Sequence, residues 1–188
     1  MRKFTTPYNS QEEIAAHAGI AAMRCYTREM GFFIGQDLIE LVADVGYLNP
    51  KSDQWMQQLG INIWQIGTGI PDWDRERIQE YYLGKPWGTI LLIDTLEHLL
   101  NPLFVLDGLR ELLQPGGLLY VGLPQRPMWL WTEHHFHEIE PSRCRYLFKR
   151  AGFEIEDQKR LSFWRWKPGL RPLIRYFYDY ATIYKLRK

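Results

Sequence analysis

The stretch ILLIDTLEHLLNPLFVLDGLRELLQPGGLLYVGLP, residues 90–124, constrains the fold more than any other part of the chain. It opens on a continuous apolar run (88–94), passes into an amphipathic pattern (101–113), meets Pro-Gly-Gly (115–117) and closes on a second apolar run (118–124). Unbroken rather than alternating apolar runs are what strands buried on both faces look like. Two such strands in parallel need a crossover, and the helix between them is of the right length. Pro cannot continue a helix and Gly accepts a left-handed backbone, so the Pro-Gly-Gly triplet predicts a sharp break between helix and strand, with Pro124 stopping that strand. Asp94, Glu97, His98 and Asp107 interrupt the stretch too often for it to span a membrane.

The same reading extends along the chain. Ser10-Gln-Glu-Glu13 has capping-box spacing and predicts a helix to about Met30, ended by Gly31. LIELVADV (38–45) reads as a strand, or as a turn at its first residues followed by a strand, and Asn49-Pro50 as the start of a helix that ends near Gly60. INIWQIG (61–67) is a second strand. Residues 68–87 fit a helix or a loop with a short strand equally well. EPSRCRYLFKRAGF (140–153) is a helix ending at Gly152. FEIEDQKRLSF (153–163) and YATIYKLRK (180–188) alternate as strands do. Strands alternating with helices, then two late strands, predict an open, largely parallel α/β sheet in one domain. No linker separates a second one.

Composition narrows the function classes. At 188 residues and 46% hydrophobic the chain has the make-up of a soluble globular domain. The N-terminus lacks the apolar middle of a signal peptide, and two cysteines suggest neither a disulfide framework nor a four-ligand metal site. A cytoplasmic location is the expectation. The net charge of +1 hides an asymmetry: residues 143–188 hold 13 Lys/Arg against 4 Asp/Glu. That basic, aromatic-rich end packs on the acidic remainder or faces a peripheral anionic surface. No nucleic-acid motif accompanies it, so nucleic acid is not the expected partner.

The 90–124 stretch resembles the class I S-adenosylmethionine-dependent methyltransferases, in particular their type 11 and type 23 small-molecule group. Asp94, Leu96-Glu97-His98, Asn101-Pro102 and Leu113-Gln-Pro-Gly-Gly117 carry the resemblance. HHFHEIEPSRCRYLFKRAGFEIED and the closing ATIYKLRK extend it more weakly, so that roughly residues 38–188 can be laid on the family in order. The resemblance implies a three-layer α/β sandwich: a Rossmann-like, open, mostly parallel sheet of six to seven strands with the last antiparallel. Residues 1–37 are an N-terminal helical segment and 38–188 the methyltransferase-like domain.

It also implies S-adenosylmethionine as cofactor, with Asp44, Gly46, Tyr47, Lys51, Asp94, Thr95 and Leu96 as the cofactor-binding set. Here the chain departs from the pattern. The family's acid-x-Gly-x-Gly-x-Gly turn reads Asp44-x-Gly46-x-Leu48-x-Pro50, putting a leucine and a proline where backbone should approach the ligand closely. Lys51 and the helix start beside it are positioned to receive the cofactor's carboxylate. The acid that should hold the ribose is replaced by Gly67, with Asp72 and Asp74 the nearest carboxylates. Only the 20 residues 68–87 are available for the adenine pocket, so the sheet should be shortened on the adenosine side. The glycine-rich motif is degenerate, and the cofactor is either still bound or lost.

On the acceptor side, His98 is the candidate catalytic base, because imidazole titrates near neutrality; the alternative is that it orients its loop. Trp129, Trp131, His135 and His137 are the expected substrate-side residues. No metal is expected, since Glu133-His134-His135-Phe136-His137-Glu138 lacks the His-x-x-x-His spacing of a helical zinc site. The expected function is methyl transfer to a small-molecule or lipid-like acceptor. The alternative is a catalytically inactive relative that binds a protein partner or a membrane surface.

Overall fold

The computed structural model describes residues 2–3, 32–33, 35–45, 63–66, 73–81, 84–125, 135–137, 139–162, 177 and 180–188. Two small strands, β1 (Arg2–Lys3) and β2 (Asp37–Leu38), pair antiparallel. The main sheet contains β3 (Val42–Val45), β4 (Ile63–Ile66), β5 (Trp87–Ile93), β6 (Leu113–Gln125), β7 (Glu154–Ser162) and β8 (Tyr180–Arg187). Their spatial order is β4-β3-β5-β6-β8-β7. The contacts β4–β3, β3–β5 and β5–β6 are parallel, and β8 alone runs against its neighbours β6 and β7. The expected open, mostly parallel sheet with an antiparallel last strand is therefore present with six strands. Among the described residues nothing pairs beyond β4, and residues 73–81 hold a turn and the 3-10 turn Ile78–Tyr81 rather than a strand.

Helix α1 (Pro102–Leu112) is the predicted crossover. Asn101 caps it by accepting from the Phe104 N–H at 3.4 Å, and Pro102 occupies the first turn, where its missing N–H costs nothing. Val105, Leu106, Leu109 and Leu112 face the sheet at helical spacing. Helix α2 (Pro141–Arg150) buries Cys144 and Phe148, one turn apart. It ends where Gly152 takes φ +79°, with Gly152 N–H donating to Lys149 O and Phe153 N–H to Phe148 O. That is the left-handed cap expected of a glycine after a helix.

Of the 38–45 stretch, the first residues, after Leu38 of β2, belong to a turn before the strand: Leu41 is left-handed (φ 64°), and Leu41 O accepts from both Gly88 and Thr89, so the chain turns before entering β3. Two local expectations are corrected. The Pro-Gly-Gly triplet lies inside β6 rather than before it. Trp87 pairs with Leu113 and Thr89 with Leu118, so the intervening residues bulge out, with Gly116 at φ +71°. Pro124 does not stop the strand either. Beyond Gly122, β6 pairs only with β8, so proline's missing N–H interrupts no bond to β5.

The core has two faces, as alternation in the strands requires. Ile90, Leu92, Leu119, Val121, Tyr184 and Leu186 face α1 and α2. Leu91, Leu118, Tyr120 and Ile183 face the other way, against Phe32, Phe33 and Leu38. The helix expected to run from Ser10 to about Met30 and end at Gly31 lies outside the described residues; Phe32 and Phe33 are helical, and their side chains belong to the sheet's own core.

Candidate functional site

In an open parallel sheet a ligand binds outside the carboxyl ends of the strands, where successive crossovers depart in opposite directions. Here that point lies between β3 and β5: the chain leaves β3 for β4 on one side and then enters β5 on the other. Asp44 sits one residue before the end of β3, opposite Leu91 of β5, and Asp94 directly follows β5. Both are half-buried. Asp94 holds a left-handed backbone (φ 48°) while its N–H donates to Gly122 O at 3.1 Å. Asp is among the few side chains that take this conformation at modest cost, and such strain concentrates at functional positions.

The next residues turn inward. Thr95 is buried, and its hydroxyl donates to Ile93 O at 2.9 Å. Leu96 is wholly buried in the helix-side core. With both side chains turned into the core, it is the backbone of these two residues that faces the crevice's edge, available to a ligand. Asp74, one of the carboxylates nearest the missing ribose acid, accepts from Leu100 N–H at 3.0 Å and Asn101 N–H at 2.6 Å. It therefore secures the entry to α1. Gly46, Tyr47, Leu48, Pro50, Lys51, Gly67, Asp72, Trp129 and Trp131 lie outside the described residues.

Two residues after Asp94 begins the 3-10 turn Leu96–His98, which carries the candidate base. Glu97, the middle residue of that turn, is 1% exposed. Its carbonyl accepts from Phe136 N–H at 2.9 Å and His137 N–H at 3.1 Å, which pins the post-β6 segment onto the turn. His137 Nε2 lies 3.3 Å from Leu100 O, a second anchor for the same segment. His135 is thereby brought edge-on to His98, ring centroids 4.8 Å apart, and His98 Nε2 stands 4.0 Å from the Glu97 carboxylate. The structure thus unites His98 and His135 of the expected set, sets His137 to holding the segment, and adds Glu97. The signal for Glu97 was its place beside His98 in the Leu-Glu-His motif; its depth depends on a segment some 40 residues away, which no local pattern reveals.

A second charged cluster lies away from this crevice. Lys185 pairs with Asp37 and with Glu156 at 2.9 Å, and Arg187 pairs with Glu156. The hydrogen bond from Arg187, opposed by burial and helped by Lys185, holds Glu156 below the usual carboxylate range. Burial pulls Lys185 down, but Asp37 and Glu156 more than offset it and leave it raised. Tyr120 donates to Asp37 O at 2.7 Å beside them. Cys144 is pushed up to about 12 by burial, which suits a packing thiol rather than a nucleophile.

No family model matches the chain. Among curated proteins it is similar to ubiquinone biosynthesis O-methyltransferases of Cereibacter sphaeroides, 29% identical over 48% of this chain. The match covers 45% of the relative, so the chain spans about half the length of that enzyme. Among solved structures, a S-adenosylmethionine-dependent methyltransferase from Archaeoglobus fulgidus superposes with a TM-score of 0.53 at 15% identity, covering 94% of each chain. Burkholderia thailandensis 1,6-didemethyltoxoflavin-N1-methyltransferase, solved with S-adenosylhomocysteine, gives 0.54 at 14% identity, covering 97% of this chain and 92% of that one. The 4+2 cyclase SpnF gives 0.54 at 15% identity over 78% of this chain and 73% of its own. The fold is that of the class I S-adenosylmethionine-dependent methyltransferases, and the resemblance read from residues 90–124 holds.

Proposed function

We propose that this chain of class I methyltransferase fold transfers a methyl group from S-adenosylmethionine to a small-molecule or lipid-like acceptor bearing an ionisable oxygen. The observation that carries the reading is the pair of half-buried carboxylates, Asp44 and Asp94, at the carboxyl ends of adjacent strands on either side of the switch point. The fold alone would not suffice, since a cyclase shares it. The chemistry of the pair fits the cofactor: its ammonium and sulfonium are cationic, and carboxylates in a partly desolvated crevice attract them more strongly than in water. The similarity to an O-methyltransferase supports an oxygen as the accepting atom.

When bound, the sulfonium supplies an activated methyl group, so the protein's work is placement. Asp44 and Asp94 hold the donor on the β3–β5 side. His98 and His135 face the acceptor, where His98 takes the proton that its oxygen loses and the Glu97 carboxylate, 4.0 Å from His98 Nε2, stabilises the imidazolium that forms. The degenerate glycine motif weakens the donor side relative to the family pattern, and micromolar rather than tighter cofactor affinity is the expectation.

Isothermal titration with S-adenosylmethionine and S-adenosylhomocysteine tests the reading. Micromolar binding, weakened roughly 100-fold or more by Asp44→Ala, supports it; a loss of that size corresponds to about 2.7 kcal/mol. No heat of binding at millimolar cofactor overturns it and leaves the inactive, partner-binding alternative.

A further inference from the structure

We infer that Glu97, His98 and His135 form a binding site for a divalent transition-metal ion of the zinc class. Their ligand atoms, one carboxylate oxygen and two imidazole nitrogens, all lie within 4.8 Å of one another. Two imidazoles and a carboxylate are a donor set that suits zinc, cobalt and iron(II), and poorly suits magnesium or calcium, which prefer all-oxygen shells. Three protein ligands leave coordination positions open, as in sites that bind water or a substrate oxygen rather than in closed structural ones.

The site is assembled by the fold independently of any metal. Glu97 and His98 are adjacent on the 3-10 turn, whose His98 N–H donates to Thr95 O at 3.0 Å. His135 directly precedes the two residues whose N–H groups bond Glu97 O, so its backbone is fixed before any ion arrives. A tetrahedral shell with metal bonds of about 2.0–2.1 Å places ligand atoms about 3.3 Å apart. Closing to that distance needs only rotation of two partly exposed imidazoles toward a carboxylate that is already buried. A buried carboxylate and a cation compensate each other's desolvation, so Glu97 is the anchor of the set. The linear sequence could not show this, because the ligands come from two segments rather than one helix.

Ion binding does not depend on the methyl-transfer reading, but its use does. An ion here sits on the acceptor side, where an open position would bind the acceptor's oxygen and lower its pKa. His98 is then a ligand, not the proton acceptor its motif suggests.

The test uses the full chain stripped of metal by chelator dialysis and titrated with Co²⁺, read by the visible absorption of the bound ion. The expected result is one equivalent bound with a tetrahedral or five-coordinate spectrum, displaced by Zn²⁺, and a thermal midpoint that rises with Zn²⁺. His98→Ala and His135→Ala should each weaken Co²⁺ roughly 100-fold or more, a loss at least equal to that of removing an outer-shell partner. Glu97→Gln keeps the side chain's shape and should give the same loss if the alanine variants unfold. The inference is overturned if the native chain takes up no Co²⁺ at millimolar concentration, or if the double variant H98A/H135A binds it as well as the native chain. Cofactor titration on the same sample separates this failure from that of the methyltransferase reading.

Discussion

The two faces of the sheet are covered by different means. One is covered by α1 and α2, whose buried residues recur at helical spacing and pack on Ile90, Leu92, Leu119 and Val121. Among the described residues, the other is covered by a short piece from the N-terminal third: Phe32 and Phe33, with rings edge-on to each other and to Tyr120, and Leu38. The helical face is mainly apolar, with the Cys144 thiol and the Tyr184 hydroxyl buried in it. The second face is closed by the ionic clasp of Lys185, Asp37, Glu156 and Arg187 and by the Tyr120 hydrogen bond. Area and shape hold the first face, whereas matched charges and one buried hydroxyl hold the second, so the two should respond differently to truncation and to pH.

The largest expected effect is on the helical face. Phe148 is fully buried, one turn after Cys144, with its ring 5.0 Å from that of Tyr184. Phe148→Ala should cost about 4 kcal/mol in urea unfolding, from lost transfer energy and the cavity left behind. The loss should not change between pH 6 and 9. A pH-dependent loss would mean that Phe148 also sets the burial of the Cys144 thiol or the Tyr184 hydroxyl.

Lys185→Met comes next, at about 3 kcal/mol, because it takes the ammonium from the buried Asp37 carboxylate and leaves Glu156 to Arg187. Here pH matters at both ends. Glu156 is lowered in the folded state, so its contribution is present above about pH 4.3 and is lost as pH falls through the folded value. Lys185 is raised, so its contribution is present below about pH 10.4 and is lost as pH rises through its folded value. The variant should flatten the acid limb of the stability profile. An unchanged acid limb would place the clasp's contribution elsewhere.

These differences explain how much the sequence revealed. The strand–helix–strand of 88–124 was legible because continuous apolar runs, an Asn-Pro cap and Pro-Gly-Gly are local signals. Even so, the triplet's place as a bulge within β6 depended on pairing with Trp87 and Thr89. The order of the sheet followed from its crossovers. The clasp was not legible, since Asp37 and Lys185 are 148 residues apart and nothing in either neighbourhood marks the pair. The candidate site divides the same way. Asp44, Asp94 and His98 stand out at strand ends and in a motif. The meeting of Glu97 with His135 required the fold, as did the inward turn of the Thr95 and Leu96 side chains.

Gly88→Ala probes the seam between the two faces, where the segment entering β3 crosses the start of β5. A methyl group there would lie 2.2 Å from Glu40 O and 2.7 Å from the Ile39 side chain, and the carbonyl cannot rotate away without breaking the turn at Leu41. About 2–3 kcal/mol is the expected cost in urea unfolding. Hydrogen exchange should show the loss first at Gly88 and Thr89, whose N–H groups bond Leu41 O. Fast exchange appearing first in α1 would move the weak point to the helical face.

Tyr120→Phe is the smallest change and separates the hydroxyl from the charges. It removes one hydrogen bond to Asp37 O and should cost about 1–1.5 kcal/mol at pH 7. Its effect above pH 9 is more telling. Burial raises Tyr120, with Asp37 and Glu156 adding to it, and burial likewise raises Tyr184 and Cys144. The native chain therefore keeps protons that the unfolded chain releases from about pH 9 upward, and stability falls with rising pH. Phenylalanine has no proton to keep, so the variant should lose stability less steeply above pH 10 while Lys185 and Tyr184 still contribute. Combined with Lys185→Met, the two losses should not add, because both substitutions act on groups that hold Asp37. Full additivity in that double-mutant cycle would show that hydroxyl and ammonium hold the N-terminal segment independently, and the second face would then be two separate fastenings rather than one.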